Sequence, residues 1–198
     1  KANLARSLEE GACGLSTGLI YPPGCYSTTS ELVELARVVA EQGGLYFSHI
    51  RREGPTVLAA LEEAIEIGRR AGISVEVAHF KVTGSANWWK QELTIALVEK
   101  ARAEGLDISA DIYPYTAGST SLKTVLPEWM HEGGISGLLR RLADHEARER
   151  LRQEIGRDGL RTDARYEQIV IASCPQRPDW EGRSVAQIAE ESGKGPFE

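Results

Sequence analysis

Short apolar runs alternate with amphipathic helical patterns along this chain at intervals of about thirty residues, and that rhythm restricts its fold more than any other feature. Residues 3–10 read as a helix, and Gly11-Ala12-Cys13-Gly14-Leu15-Ser16 as a short strand leading to the loop Tyr21-Pro22-Pro23-Gly24. Thr28-Thr29-Ser30-Glu31 has the form of a capping box, after which Leu32, Leu35, Ala36 and Val39 recur at helical spacing until Gly43-Gly44. A strand is predicted at 45–49, then a helix opened by Gly54-Pro55, carrying Leu58, Leu61, Ala64 and Ile65, and ended by Gly72. Strands at 74–79 and 107–111 follow, separated by a helix that Asn87 is placed to cap and that stops near Gly105. Parallel strands need crossovers of this kind, so the sheet is expected to be parallel.

From about 127 to 165 the pattern gives way to mixed charge, as in His145-Glu146-Ala147-Arg148-Glu149-Arg150, which reads as an inserted helical region with His131 and His145 at its surface. Gln168-Ile169-Val170-Ile171-Ala172-Ser173 is expected to resume the sheet as a fifth strand, and Ser184 to cap a last helix. A (β/α)8 barrel needs eight strands and about 250 residues, so 198 residues can supply most of a barrel without closing one. An open doubly wound sheet is the structural alternative.

Two of the predicted strands end in histidine. Ser48-His49-Ile50-Arg51 closes Leu45-Tyr46-Phe47, and Ala78-His79-Phe80-Lys81 closes Val75-Glu76-Val77. Carboxyl ends of consecutive parallel strands meet over one face, so the two imidazoles can converge on one metal ion. A single strand-end histidine more often bonds a nearby carbonyl, but two in register point to a metallohydrolase. Catalytic zinc usually holds three protein ligands and works with a carboxylate base, so this pair is only part of such a site. Asp111 ends the next strand, where it reads more as a turn anchor beside Tyr113-Pro114-Tyr115 than as a ligand. Lys81 lies two residues past His79, on the same side if the strand continues, either as a point charge for a substrate carboxylate or as an ordinary surface lysine. Gly14-Leu15-Ser16-Thr17-Gly18 fits G-x-S-x-G, but the prolines that follow forbid the immediate helix a nucleophile elbow requires.

A net charge of −6, with no basic stretch interleaved with aromatics, argues against nucleic acid as a partner. No apolar run is long enough to span a bilayer. Three cysteines without a C-x-x-C do not resemble a disulfide framework, and a reducing cytoplasm is the expected compartment. Lys1-Ala2-Asn3-Leu4 reads as the middle of a helix, as expected of a segment of a longer protein.

Gly11 to Gly24 (GACGLSTGLIYPPG), Tyr46 to Arg51 (YFSHIR), Val77 to Lys81 (VAHFK) and Asp111 to Thr120 (DIYPYTAGST), with SCPQRPDWEGRSVAQIA near the end, strongly resemble the D-aminoacylase, or N-acyl-D-amino-acid deacylase, branch of the amidohydrolase superfamily. The resemblance covers nearly the whole chain. It implies an α/β fold, an incomplete TIM-like (β/α)8 metal-dependent hydrolase barrel, with residues 1–198 as a partial catalytic domain. It also implies zinc, one or two ions, and hydrolysis of N-acyl-D-amino acids. By match of motif His49 and His79 are the single histidine ligands; Lys81, Tyr113 and Ser119 contact the substrate, and Ile20 lines the pocket for the amino-acid side chain.

The resemblance also implies what this chain does not carry. The family's H-x-H ligand pair falls before residue 1, its bridging cysteine lies in an earlier strand for which Cys13 is no substitute, and its proton-transfer aspartate falls beyond Glu198. No catalytic acid or base is therefore assigned here, and the segment alone is expected to be inactive. A homo-oligomer or the rest of the parent chain is the expected macromolecular partner. The competing function is a non-catalytic binding or oligomerisation domain on an amidohydrolase scaffold.

Overall fold

The computed structural model describes residues 1–158, 160 and 165–198, in two units, Lys1–Ser121 and Leu122–Glu198. In the first, helices α1 (Ala2–Glu9), α2 (Thr29–Glu41), α3 (Val57–Ala71) and α4 (Gln91–Ala103) alternate with strands β1 (Gly14–Gly18), β2 (Leu45–His49), β3 (Ser74–Val77) and β4 (Ile108–Ala110). The strands lie side by side in chain order, all parallel. This is the α/β architecture expected of the chain, an arc of a (β/α)8 barrel.

Strand alternation divides the sheet into two unlike faces. Tyr46, Val75, Val77 and Ile108 point to the helices, where they join Leu32, Val33, Ala36 and Val39 of α2 and Leu61, Ala64, Ile65 and Ile67 of α3 in one core. Leu61 and Ile67 are fully buried, and each such side chain contributes roughly 1.5–3 kcal/mol relative to exposure. At Gly68 a Cβ would stand 2.5 Å from Val75 Cγ2, so the absent side chain lets α3 settle onto β3. Across the opposite face Ser16, Phe47, Glu76 and Ser109 align in register, half-buried or exposed, with Ser109 donating to the Glu76 carboxylate. His49 ends β2 on this second face.

The helix boundaries follow local chemistry. Thr28 caps α2, its hydroxyl accepting from Glu31 N, and Gly72 ends α3 in the left-handed conformation at φ 67°. Asn87 does not cap α4: it sits within a 3-10 turn, Ser85–Lys90, with its side-chain amide donating to Thr83 O. β3 stops at Val77, two residues short of the predicted end, because the chain turns at His79.

The second unit contains α5 (Gly134–Ala143), α6 (His145–Asp158) and α7 (Val185–Glu191), with Met130, Leu138 and Leu151 forming its own small core. Of the helical region predicted over 127–165, residues 159 and 161–164 lie outside the described residues. His131 is buried rather than at the surface, while His145 is exposed. The fifth strand does not form. Within 168–173 the described pairing is one antiparallel bridge, Val170 to Ser184, and Val170 is exposed. Ser184 caps α7 through a reciprocal box with Gln187. No helix among the described residues is long and apolar enough to cross a membrane.

Candidate metal centre

The end of β2 is tied to its neighbours before any side chain acts. Gly18 of β1 is the register partner of His49, and Leu19 N donates to His49 O at 3.0 Å. Just beyond, Arg51 binds both oxygens of Glu63 on α3 at 2.9 Å and donates to the carbonyls of Cys25 and Ser27 at 2.8 and 3.0 Å. One guanidinium thereby fixes the loop after β1 to the helix after β2. Burial pushes the Glu63 carboxyl up, but hydrogen bonds from Arg51 and Thr29 and the charge of Arg51 outweigh it and hold the group below its ordinary value.

His79 reaches the same place by a strained turn. Among the described residues it is the non-glycine with positive φ, at 38°, a conformation that costs of order 1–3 kcal/mol. Asp111 offsets that cost: its Oδ1 accepts from His79 N at 2.5 Å, while its backbone bonds Val77 and Phe80. Asp111 is thus the anchor of this turn.

The two imidazoles face each other. His79 Nε2 lies 2.7 Å from His49 Nδ1, with the rings 4.2 Å apart and nearly perpendicular at 79°. Burial first, then the positive charges of His79 and Lys81, lower His49 from 6.5 to about 4, so it is neutral at pH 7 and keeps the lone pair that a ligand needs. Two nitrogens at about 2.0–2.1 Å from a tetrahedral zinc stand roughly 3.3 Å apart, so the pair fits an ion after separating by about half an ångström.

Glu53, in the loop between β2 and α3, was not foreseen. Its Oε1 accepts from Lys81 Nζ at 2.7 Å and lies 2.9 Å from His79 Nδ1 and 4.0 Å from His49 Nε2. Among the described residues His49, Glu53 and His79 form the group whose donor atoms are close enough to surround a metal. The sequence signal is the spacing His49-x-x-x-Glu53 directly after a strand, which a loop glutamate alone does not make conspicuous.

Of the predicted substrate residues, Lys81 is at the centre, with Nζ 3.1 Å from His79 Nδ1 and 5.4 Å from the Tyr113 ring. It arrives through the turn at His79 and the pull of Glu53, not by continued strand alternation. The Tyr113 ring is 6.4 Å from that of His79. Ile20 is half-buried and precedes Tyr21, whose ring meets His49 edge-on at 5.0 Å. Ser119 is exposed beside Thr120, whose hydroxyl is 3.1 Å from Tyr21 Oη. Ser16, the serine of G-x-S-x-G, is followed by a turn after Gly18 and not by a helix, which removes the nucleophile elbow.

Parallel strands with facing histidines at or just beyond their carboxyl ends make an α/β scaffold with donor atoms placed as a metal site requires. No family model matches the chain. It is 49% identical over 119 residues to an N-acyl-D-glutamate deacylase of Alcaligenes xylosoxydans xylosoxydans, covering 60% of this chain and 24% of that protein. It is 44% identical over 117 residues to a D-aminoacylase of the same organism, covering 59% and 24%. The crystal structure of N-acyl-D-glutamate deacylase from Bordetella bronchiseptica, complexed with zinc and a phosphonate mimic of the tetrahedral intermediate, superimposes with a TM-score of 0.73 at 32% identity, over 98% of this chain and 33% of that one. The chain therefore resembles a segment of the D-aminoacylase family of amidohydrolases, and it spans about a quarter of the length of the curated relatives it matches.

Proposed function

We propose that this chain is the part of a zinc-dependent N-acyl-D-amino-acid deacylase that contributes two metal ligands, His49 and His79, and the substrate-contacting residues Ile20, Lys81, Tyr113 and Ser119. The observation that carries the reading is the approach of His79 Nε2 to His49 Nδ1 at 2.7 Å, beside the Glu53 carboxylate. When bound, zinc polarises an amide carbonyl and lowers the pKa of water to about 7.

The chain's own residues do the rest of what is assigned to it. His49 and His79 supply nitrogen donors, one or two ions being held together with ligands that the resemblance assigns to other parts of the protein. Lys81 pairs its ammonium with the substrate carboxylate, and Tyr113 flanks that charge with its ring face. Ser119 donates its hydroxyl to the substrate, and Ile20 borders the amino-acid side chain. The resemblance assigns the proton-transfer group to another part of the protein, so turnover is attributed to the full-length protein and not to these residues alone. The protein is cytoplasmic, the compartment that three cysteines without a C-x-x-C favour.

The test is hydrolysis of N-acetyl-D-amino acids by the full-length protein that carries this chain, before and after chelation. Zinc-dependent release of the D-amino acid supports the reading; zinc binding without turnover would make the protein a non-catalytic member of the scaffold.

A further inference from the structure

We infer that Glu53 is the positioning residue of this centre, fixing the His79 ring so that its Nε2 is bare toward the metal and holding the Lys81 ammonium beside it. The inference rests on the zinc reading above and assigns a role to a residue outside the expected ligand set.

The argument starts from what each neighbour of His79 Nδ1 is able to do. Lys81 Nζ, 3.1 Å away, can only donate; acting alone it favours a bare Nδ1, which moves the ring proton to Nε2, the nitrogen that faces His49. The Glu53 carboxylate, 2.9 Å away, can only accept, and so it draws the proton onto Nδ1 and leaves Nε2 free. Glu53 also engages the lysine itself at 2.7 Å. Its side chain is only 11% exposed, so the interaction is poorly screened by water.

For an ion held between His79 Nε2 and His49 Nδ1, Glu53 stands behind the ring and is not a third ligand. The two nitrogens of an imidazole point away from opposite edges of the ring, and Glu53 lies against Nδ1 while Nε2 faces His49. A carboxylate behind a ligating histidine sets the tautomer and orientation of the ring, and its loss typically lowers metal affinity by 10–100-fold. The backbone of the same residue is gripped from the other side by Asp111 Oδ1 at 2.5 Å, so His79 is held at both ends against a strained φ.

The experiment uses the full-length protein and three variants, Glu53→Gln, Lys81→Met and the double substitution. Zinc affinity is measured by competition with a chromophoric chelator, and coordination by the absorption of the cobalt-substituted forms. Glu53→Gln is expected to weaken zinc by about 10–100-fold with the cobalt spectrum unchanged, and Lys81→Met in that background to recover part of the loss by removing the competing donor. Unchanged affinity in Glu53→Gln overturns the inference, as does a cobalt spectrum showing a lost ligand. Should the glutamine variant not fold, histidine-selective 15N spectra of the metal-free wild type still decide: a proton on His79 Nδ1 supports the role, and one on Nε2 contradicts it. Wild-type protein that binds no zinc overturns the zinc reading itself, whereas zinc binding indifferent to Glu53→Gln overturns only the role of Glu53.

Discussion

His49 Nδ1 and His79 Nε2 meet at 2.7 Å although thirty residues separate them, because β2 and β3 are adjacent and parallel and His79 bends its backbone to turn its ring back across the sheet. Contact at this distance means that in the metal-free protein one ring donates to the other. Protonating both breaks that bond and places two like charges together.

Acid stability of the metal-free protein follows from this. His49 titrates at about 4 in the fold and near 6.5 when unfolded, so between these values the unfolded state binds more protons. Stability is complete above pH 6.5 and is lost progressively as the pH falls to about 4. Urea midpoints measured from pH 7 to 4.5 should fall for the wild type and fall less for His49→Gln. Parallel curves would show that His49 does not carry the effect.

Arg51 carries a separate prediction about the frame of the site. Replacing it with Met leaves Glu63, 12% exposed, without its charge partner and frees the loop carbonyls of Cys25 and Ser27. Breaking a buried ion pair costs 3–5 kcal/mol, and because Arg51 keeps 25% of its side chain exposed the expected loss is about 2–3 kcal/mol. Chemical denaturation checks it, and a loss under about 0.5 kcal/mol, the ordinary surface range, would contradict the role of this contact.

Much of this was readable from residue order, for identifiable reasons. His49 and His79 stood out because apolar strands that end in histidine one βα unit apart leave few other readings. Glu53 was not readable, because a glutamate in a loop is normally solvated and only the fold brings it against His79 and Lys81. Strand propensity misled at 168–173: Ile169, Val170 and Ile171 suit a pleated surface, yet they form one bridge, and propensity for strand is decided by available partners. Asn87 has the chemistry of a cap, but its amide is already bonded to Thr83 O in the turn before α4.

Lys81 makes a claim about recognition that is separable from the metal. In the full-length protein, Lys81→Met should lower kcat/KM for an N-acyl-D-amino acid more than for its neutral amide, since only the acid offers the ammonium a carboxylate. Equal losses for both would assign Lys81 to holding Glu53 and His79 alone.

The isolated 198-residue chain should not behave as a compact monomer. β1 and β4 are the edges of the described sheet, and Trp88, Ile112 and Tyr115 are 65%, 79% and 76% exposed. Unpaired edges beside exposed apolar surface favour association. Light scattering after size exclusion should show oligomers, and a stable monomer would contradict this.

The most direct measurement is the initial rate of N-acetyl-D-amino-acid hydrolysis by the full-length protein, taken as isolated, after chelation and after return of zinc, with His79→Ala in parallel. Losing a metal ligand removes transition-state stabilisation worth about a hundredfold or more. The account predicts that chelation abolishes the rate, zinc restores it, and His79→Ala retains about 1% or less. Undiminished turnover by metal-free protein, or by His79→Ala, would contradict it.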